Sequence, residues 1–387
     1  MLNNTRRVGG AAALVLAAML AASCSSSTTG GSNPSAASQA ADPASSSSGG
    51  SSVAAAVAAT KLAEQAPTTV PITTPLAKPA PRGKTFVWLQ CELAQCKDMT
   101  NGFRAATAAI GWNLKVITYQ NAEPSTLIAG FLQALQYHPV AVSAGGLPVA
   151  VWGSQVLPAY QKANVPIIVA YVGPQKLDKT IIANIGGPIA YTNFGNVVAN
   201  WVIADSGGKA KILFYNVPDF STFRVFADAF KQKIASDCPG CNLTDLQGTI
   251  AQAEGGQSVP AIISALQRNP DIKYVVTDDG AWVVGLPSAL KAAGLTDVKI
   301  AGQAATVQNL ADIKQGTENA FTGLALHYGA WATIDAALRH LEGMPIIDGN
   351  SALPTQLLTD KASFAVADSY DKPADFEAQM KKLWHVP

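Results

Sequence analysis

Charge is what this chain has least of: Asp, Glu, Lys and Arg make up 14% of its residues, against roughly 25% in ordinary globular proteins. Much of the deficit lies in a Ser-, Ala- and Gly-rich beginning, and the formal net charge is only +1. That balance gives no electrostatic reason to bind nucleic acid or an acidic surface. Histidine is almost as scarce. The four residues His138, His327, His340 and His385 are dispersed, so no His cluster at ligand spacing points to a metal. There is no P-loop, no G-x-G-x-x-G after a strand and no G-x-S-x-G elbow, which removes the commonest nucleotide-binding and hydrolase signatures. Nothing supports an enzyme, a cofactor or a metal. At 387 residues and 48% hydrophobic content, the chain can bury a large core in two domains.

The apolar run at the start is too short to cross a bilayer. Arg6 and Arg7 precede Val8–Leu20, and AASC places Cys24 after small residues. This order is that of a signal sequence, and it resembles a lipoprotein signal in which residues 1–23 are removed and Cys24 is lipidated. Ala21 stands where a large aliphatic residue is usual, with Leu20 one place further out. The competing reading is ordinary secretion with Cys24 lost or unmodified. Export by a twin-arginine route is weakly supported, because Gly9 replaces the large apolar residue expected after the Arg pair. Residues 24–83 are rich in Ser, Ala, Gly and then Pro, and predict a disordered tether holding a domain off a membrane.

The remaining cysteines fall into two close pairs, Cys91 with Cys96 and Cys238 with Cys241. In an exported protein they are expected as disulfides. A zinc site and, for CPGC, a redox motif are the rivals. Catalytic CxxC opens a helix beside a strand, whereas Cys238–Cys241 closes a helix ahead of one.

From Lys84 onward strands and helices alternate. Strand-like runs at Thr85–Leu89, Leu114–Tyr119, Val140–Ser143 and Pro166–Tyr171 are separated by helical segments, one carrying Leu127, Ile128, Phe131, Leu132 and Leu135 at helical spacing between Pro124 and Pro139. A second series follows Gly173: a helix face of Tyr191, Phe194, Val198 and Trp201, the strand KILFYN, and a helix over Phe220–Ser236. Next come a strand at Leu243–Thr249, a helix over Val259–Arg268 and the unit Lys273–Gly302. The pattern predicts an α/β protein of two similar doubly wound parallel-sheet lobes. In such sheets ligands are held beyond the carboxyl ends of strands, where Asp278 and Asp279 follow Tyr274–Val276.

Six phrases in this order carry a resemblance. They are AAIGWNLKV, QKANVPIIV, FRVFADAFKQKI, NPDIKYVVTDDGAWVVGLPSALKAAGL, VKIAG with NLADIKQG, and WATIDAALRHLEGMPI. Together the stretch from Lys84 to Pro387 resembles the type I periplasmic solute-binding proteins of ABC importers, particularly the sugar-binding branch. The resemblance implies three connecting strands near Tyr171–Gln175, Leu326–Tyr328 and Gly349–Pro354. It implies an N-lobe of residues 84–174 plus about 328–350, a C-lobe of 175–327 plus about 351–365, and a C-terminal helical segment, 366–387, packed on a lobe. The expected function is that of a monomeric lipoprotein that captures a sugar or sugar-like molecule in the interlobe cleft. It would deliver the solute to an ABC permease with its ATPase, from the outer face of the cell membrane. A tethered sensor presenting its liganded form to a receptor kinase uses the same body. The lactose-repressor class of regulators shares it too, but this chain has no helix-turn-helix and begins with an export signal, which excludes nucleic acid as a partner.

By the same resemblance Arg224 occupies the position of a sugar-binding Arg, and Asp279, or Asp278, that of an Asn or Asp that accepts sugar hydroxyls. Departures accompany them. Tyr171 and Val172 replace an Asp-Arg pair, Ala304 beside Gln303 replaces an Asp, and CELAQC with Glu92 and Gln95 replaces a pair of aromatics. Fewer charged partners lower the capacity for a fully hydroxylated sugar, so the ligand is expected to be less polar, larger or differently charged than ribose. Trp152 and Tyr171 are candidate flat faces for a ring, and Ser143 and His327 are further candidates. Trp201, Trp282 and Trp331 lie in apolar helical stripes and are expected in the core.

Overall fold

The computed structural model describes residues 47–387. The proposed signal, Cys24 and the first part of the tether lie outside them. The first described element is helix α1 (Ser47–Ala63).

The first lobe is built from β1 (Thr85–Gln90), α2 (Ala94–Ala109), β2 (Asn113–Thr118), α3 (Pro124–Ala134), β3 (Ala141–Gly145), α4 (Val149–Ala163), β4 (Ile167–Ala170) and β5 (Ile181–Ile185). Its sheet has the order β2-β1-β3-β4-β5, with every pairing parallel. Strands β3 and β4 are buried along their whole length, as parallel strands covered by helices on both faces must be.

The second lobe continues with α5 (Pro188–Asp205), β6 (Lys211–Asn216), α6 (Ser221–Asp237), β7 (Asn242–Gln247), α7 (Ile250–Glu254), α8 (Ser258–Arg268), β8 (Tyr274–Thr277), α9 (Leu286–Ala292), β9 (Lys299–Gly302), α10 (Val307–Gln315) and β10 (Ala320–Thr322). The chain then returns to the first lobe with α11 (Leu326–Glu342) and α12 (Asp348–Ser351). It crosses again to β11 (Leu357–Leu358) and ends in α13 (Phe376–Leu383). The second sheet runs β11-β10-β9-β8-β6-β7, and only the β10–β11 pair is antiparallel. These are two parallel-sheet α/β lobes.

The connections differ from the sequence expectation in one place. The first crossing was expected near Tyr171–Gln175, but β5 pairs with β4 in the first sheet, so the chain leaves that lobe only at Gly186 and Gly187, before α5. The run KTIIANIGG hides the strand, because it follows β4 with no helix between them.

The larger difference is the tether. Over 47–83 the chain is not a free linker: α1 packs on α5, and Val70, Ile72, Leu76 and Ala80 are buried. The Leu76 and Ala80 amides donate to the Leu383 and Trp384 carbonyls at 2.9 and 3.1 Å, and the Trp112 indole donates to the Pro81 carbonyl at 2.5 Å. Between these two docking regions, the Glu64 carbonyl accepts the Gln356 side-chain amide at 2.9 Å beside the third crossing. The Pro- and Ala-rich composition suggested disorder, yet a few well-placed apolar side chains suffice when a groove made by α11 and α13 receives them.

Both cysteine pairs are disulfides, with Cα separations of 5.5 Å for Cys91–Cys96 and 5.3 Å for Cys238–Cys241. The second joins the end of α6 to the start of β7, where a catalytic CxxC does not sit.

Truncating the chain to begin at Lys84 would expose the seat of Val70, Ile72 and Leu76. At about 1.5–3 kcal/mol for each large apolar side chain, we expect the truncated protein to lose on the order of 5–9 kcal/mol of unfolding free energy relative to one beginning at Ser45. Urea denaturation measures this, and equal midpoints would return residues 45–83 to the status of a tether.

Candidate functional site

A cavity of about 320 Å³ opens between the two lobes at the carboxyl ends of their strands. The first lobe contributes Trp88, the Cys91–Cys96 loop, Met99, Asn121 and Gly145–Gly146, and the second contributes Tyr191, Phe220, Phe223, Asp279 and Trp282. Tyr171 and Leu326 line it near the crossings. The wall is mostly aromatic and aliphatic.

Tyr171 is held there by its backbone and by two glycines. Its φ of +54° lies in the left-handed region, which costs a non-glycine residue of order 1 kcal/mol or more and persists only where packing enforces it. A Cβ on Gly329 would stand 2.1 Å from the Tyr171 hydroxyl, and one on Gly186 would stand 2.7 Å from its ring. Glycine at both places lets the ring lie between α11 and the first crossing, with its hydroxyl 3.4 Å from the Ala325 carbonyl.

On the opposite side, Tyr191, Phe223 and Phe220 form a continuous wall, with centroids 6.4 Å apart for the first pair and 5.1 Å for the second. These side chains stand where α5 and α6 begin, at the carboxyl end of the second sheet. Beside them Asp279 ends the turn after β8. Its Oδ1 accepts the Ala281 amide at 2.9 Å, capping the short turn at Gly280–Val283. Burial pushes the Asp279 carboxyl up to about 7. Asp278 is fully buried, its Oδ2 accepts the Val217 amide at 2.7 Å, and burial raises its pKa well above the ordinary carboxylate range.

The candidates from the sequence divide accordingly. Asp279, Tyr171 and Gln95 line the cavity. Asp278 sits behind it. Gln303 is buried with its amide donating to the Asp278 backbone carbonyl, so it supports the acid loop. Glu92 accepts the Asn121 amide at 3.1 Å, and Asn121 is the residue that reaches the cavity. Ser143 is buried inside β3.

Three expectations need correction. Arg224 lies exposed in the first turn of α6, and its guanidinium donates to the Pro218 carbonyl rather than facing the cavity. Trp152 is packed in the first lobe's core, 4.5 Å centroid to centroid from Phe131, with its indole bonded to the Leu147 carbonyl. His327 is engaged outside the cavity, with Nε2 and Nδ1 each 3.0 Å from a carboxylate oxygen, of Asp98 and Asp371 respectively. In the opposite direction, Trp282 was expected in the core and instead lines the cavity. Tyr191, Phe220 and Phe223 were missed as lining because their spacing is that of a buried helical stripe. Their place just beyond strand ends was the available signal. No group of three or more potential metal ligands occurs among the described residues.

Two hinged α/β lobes with a cavity between them define a binding protein that holds a small molecule at the junction. The chain belongs to the periplasmic binding protein domain family, whose match covers residues 92–345. The fold is that of type I periplasmic binding proteins, and the family is one of extracytoplasmic solute binders, not enzymes. No curated protein matches the chain in sequence. Among solved structures it is similar to an ABC transporter solute-binding protein from Agrobacterium vitis bound with alpha-D-tagatopyranose. Identity there is 19%, over 75% of this chain and 100% of that one, with a TM-score of 0.62. A periplasmic ribose ABC transporter protein from Conexibacter woesei is 15% identical over 74% of this chain and 95% of its own, with a TM-score of 0.63. An arabinose-binding component from Shewanella sp. ANA-3, bound to L-arabinofuranose, is 17% identical over 77% and 96%, with a TM-score of 0.62. No helix of the described residues is long and apolar enough to cross a membrane.

The His327 cluster predicts a pH dependence. Hydrogen bonds donated by the His327 ring to Asp371 and then Asp98 raise it to about 10, from about 6.5 in an unfolded chain. A raised histidine stabilises fully below its unfolded value and loses that contribution as pH climbs through the folded one. Asp371 is 41% exposed, so we expect a discounted effect of about 1–2 kcal/mol. Between pH 6.5 and 10 the wild type should lose that much stability relative to His327→Gln, measured by urea denaturation. Parallel profiles would show that the cluster contributes nothing.

Proposed function

We propose that the protein is an extracytoplasmic solute-binding lipoprotein that captures a small molecule between its lobes and hands it to an ABC importer. The observation that carries this reading is the cavity itself, whose walls come from both lobes, so that occupancy and lobe closure are coupled. About 320 Å³ is at the lower end of the range of small-molecule sites. Moving from mostly open to mostly closed takes roughly 5 kcal/mol of differential affinity, which a micromolar ligand with about 8 kcal/mol in total can supply. The sugars held by the structural relatives make sugars and sugar-like molecules the first class to test. Anchoring through Cys24 is supported by the signal-like sequence ahead of it.

The site assignment proposed here rests on Asp279, Tyr171, Gln95 and Asn121 with the aromatic wall. A thermal-shift screen of sugars, polyols, nucleosides and amines should find a ligand that stabilises the protein by about 3 kcal/mol at a hundredfold excess over its Kd. A screen across these classes with no stabilising compound would sink the capture reading. Because Arg224 points away, Arg224→Ala should leave that affinity within about twofold and stability within about 0.5 kcal/mol. A tenfold loss by calorimetry would restore Arg224 to the site.

A further inference from the structure

The cavity has acidic groups but no basic one. Asp279 lines it at 5% exposure, and Glu254 stands exposed at its edge. No Lys, Arg or His is among its lining residues. The nearest candidates are committed elsewhere, Arg224 to the Pro218 carbonyl and His327 to Asp98 and Asp371. Directly behind Asp279, Asp278 is held by the Val217 amide and the Trp282 indole. Asn121, at 8% exposure, also lines the cavity, and its buried Oδ1 acceptor has no partner. Buried carboxyls are ordinarily paired with a cation or a full set of donors. For Asp279 the chain supplies the Ala281 amide and no cation.

The rest of the wall has the matching character. Tyr191, Phe223 and Phe220 line the same cavity as the acid, and Tyr171 and Trp282 complete an aromatic enclosure. Aromatic faces carry negative potential and attract a desolvated cation at up to about 2 kcal/mol or more. They offer little to the dense hydroxyls of a sugar, each of which needs its own partner when buried. The ionised form of Asp279 would repel a carboxylate-bearing solute.

We propose that the solute captured in this cavity is an organic cation, a compact or flat apolar body bearing a protonated amine or quaternary nitrogen, with that nitrogen seated between Asp279 and the Tyr191–Phe223 wall. This rests on the capture reading and narrows it to one class. Burial raises the Asp279 carboxyl, and a cation beside it would favour the ionised form.

The test is isothermal titration of the purified full-length protein with cation and neutral partners of the same shape. Suitable pairs are choline against its carbon isostere dimethylbutanol, and tryptamine against tryptophol, with D-tagatose and D-ribose alongside. At least one cation should bind about 30-fold more tightly than its neutral partner, a factor in line with a desolvated cation–aromatic contact. Asp279→Asn keeps the cap on the Ala281 amide and should shrink the gap to about threefold while leaving the neutral compound's affinity unchanged. Glu254→Gln, at an exposed position that cannot disturb folding, should reduce the gap about twofold.

Equal binding of cation and isostere would overturn the cation inference, as would sugars binding where cations do not. Either outcome would leave the capture reading intact. A full cation preference surviving in folded Asp279→Asn would also overturn it, by placing the cation elsewhere. If no cation binds at millimolar concentration, the inference falls, and the capture reading is decided separately by the broad screen.

Discussion

A single buried carboxylate holds the far-apart pieces of this molecule in register. Asp335, in the middle of α11, is completely buried and accepts the Arg339 guanidinium at 2.5 Å, the Asn350 amide at 2.8 Å and the Trp384 indole at 2.8 Å. Arg339, equally buried, also donates to the Thr74 carbonyl. One side chain thus collects the helix, the segment before the third crossing and the chain's last helix, and through Arg339 the N-terminal segment. Such an ion pair is weak evidence for net stability, since desolvating two charges offsets most of their attraction. What the pair shows is convergence: three donors from separate parts of the chain meet on one carboxylate. Trp331 stacks on Trp384 at 4.9 Å beside it. Because α11 is fixed here, so are the residues at its other end, where Gly329 makes room for Tyr171 and His327 meets Asp98. The cavity's position is therefore set from well outside the cavity.

The alternation of strands and helices was legible because both sheets are parallel and buried, which produces short apolar runs with little ambiguity. Strand β5 was not, since it breaks the alternation by following β4 directly. The N-terminal segment was misjudged for a different reason. Composition measures whether a stretch can form its own core, and residues 47–83 cannot. It does not measure whether four apolar side chains fit a groove built by residues some three hundred positions later. At the site, Asp279 was legible because a strand, an acid and a glycine in succession mark a turn at a strand's carboxyl end. Arg224 was misplaced because a family position fixes the backbone but not the direction of a long side chain. The aromatic wall was hidden because Tyr191, Phe220 and Phe223 occupy helix starts whose periodicity also belongs to the core.

The departures from the sugar-binding pattern and the character of the cavity agree with each other. Tyr171 and Val172 stand where a charged pair was expected, and Tyr171 brings a ring rather than an ion to the cavity. Ala304 stands where another acid was expected and adopts a φ of +57°, keeping the left-handed turn while offering no polar group. With those charges gone, Asp279 is left as an acid in a mostly aromatic chamber.

The seam between the chain's two ends has a consequence in time. The His385 ring bonds to the Leu76 carbonyl across 309 positions of sequence, and Trp384 completes the pocket around Asp335. A chain made from its amino end must therefore produce both lobes and nearly its last residue before the stretch around Leu76 finds its seat. Contacts of such wide separation form late, because the intervening chain must be closed first. Until then Val70, Ile72 and Leu76 lack their groove, and Asp335 has Arg339 and Asn350 but not its Trp384 partner.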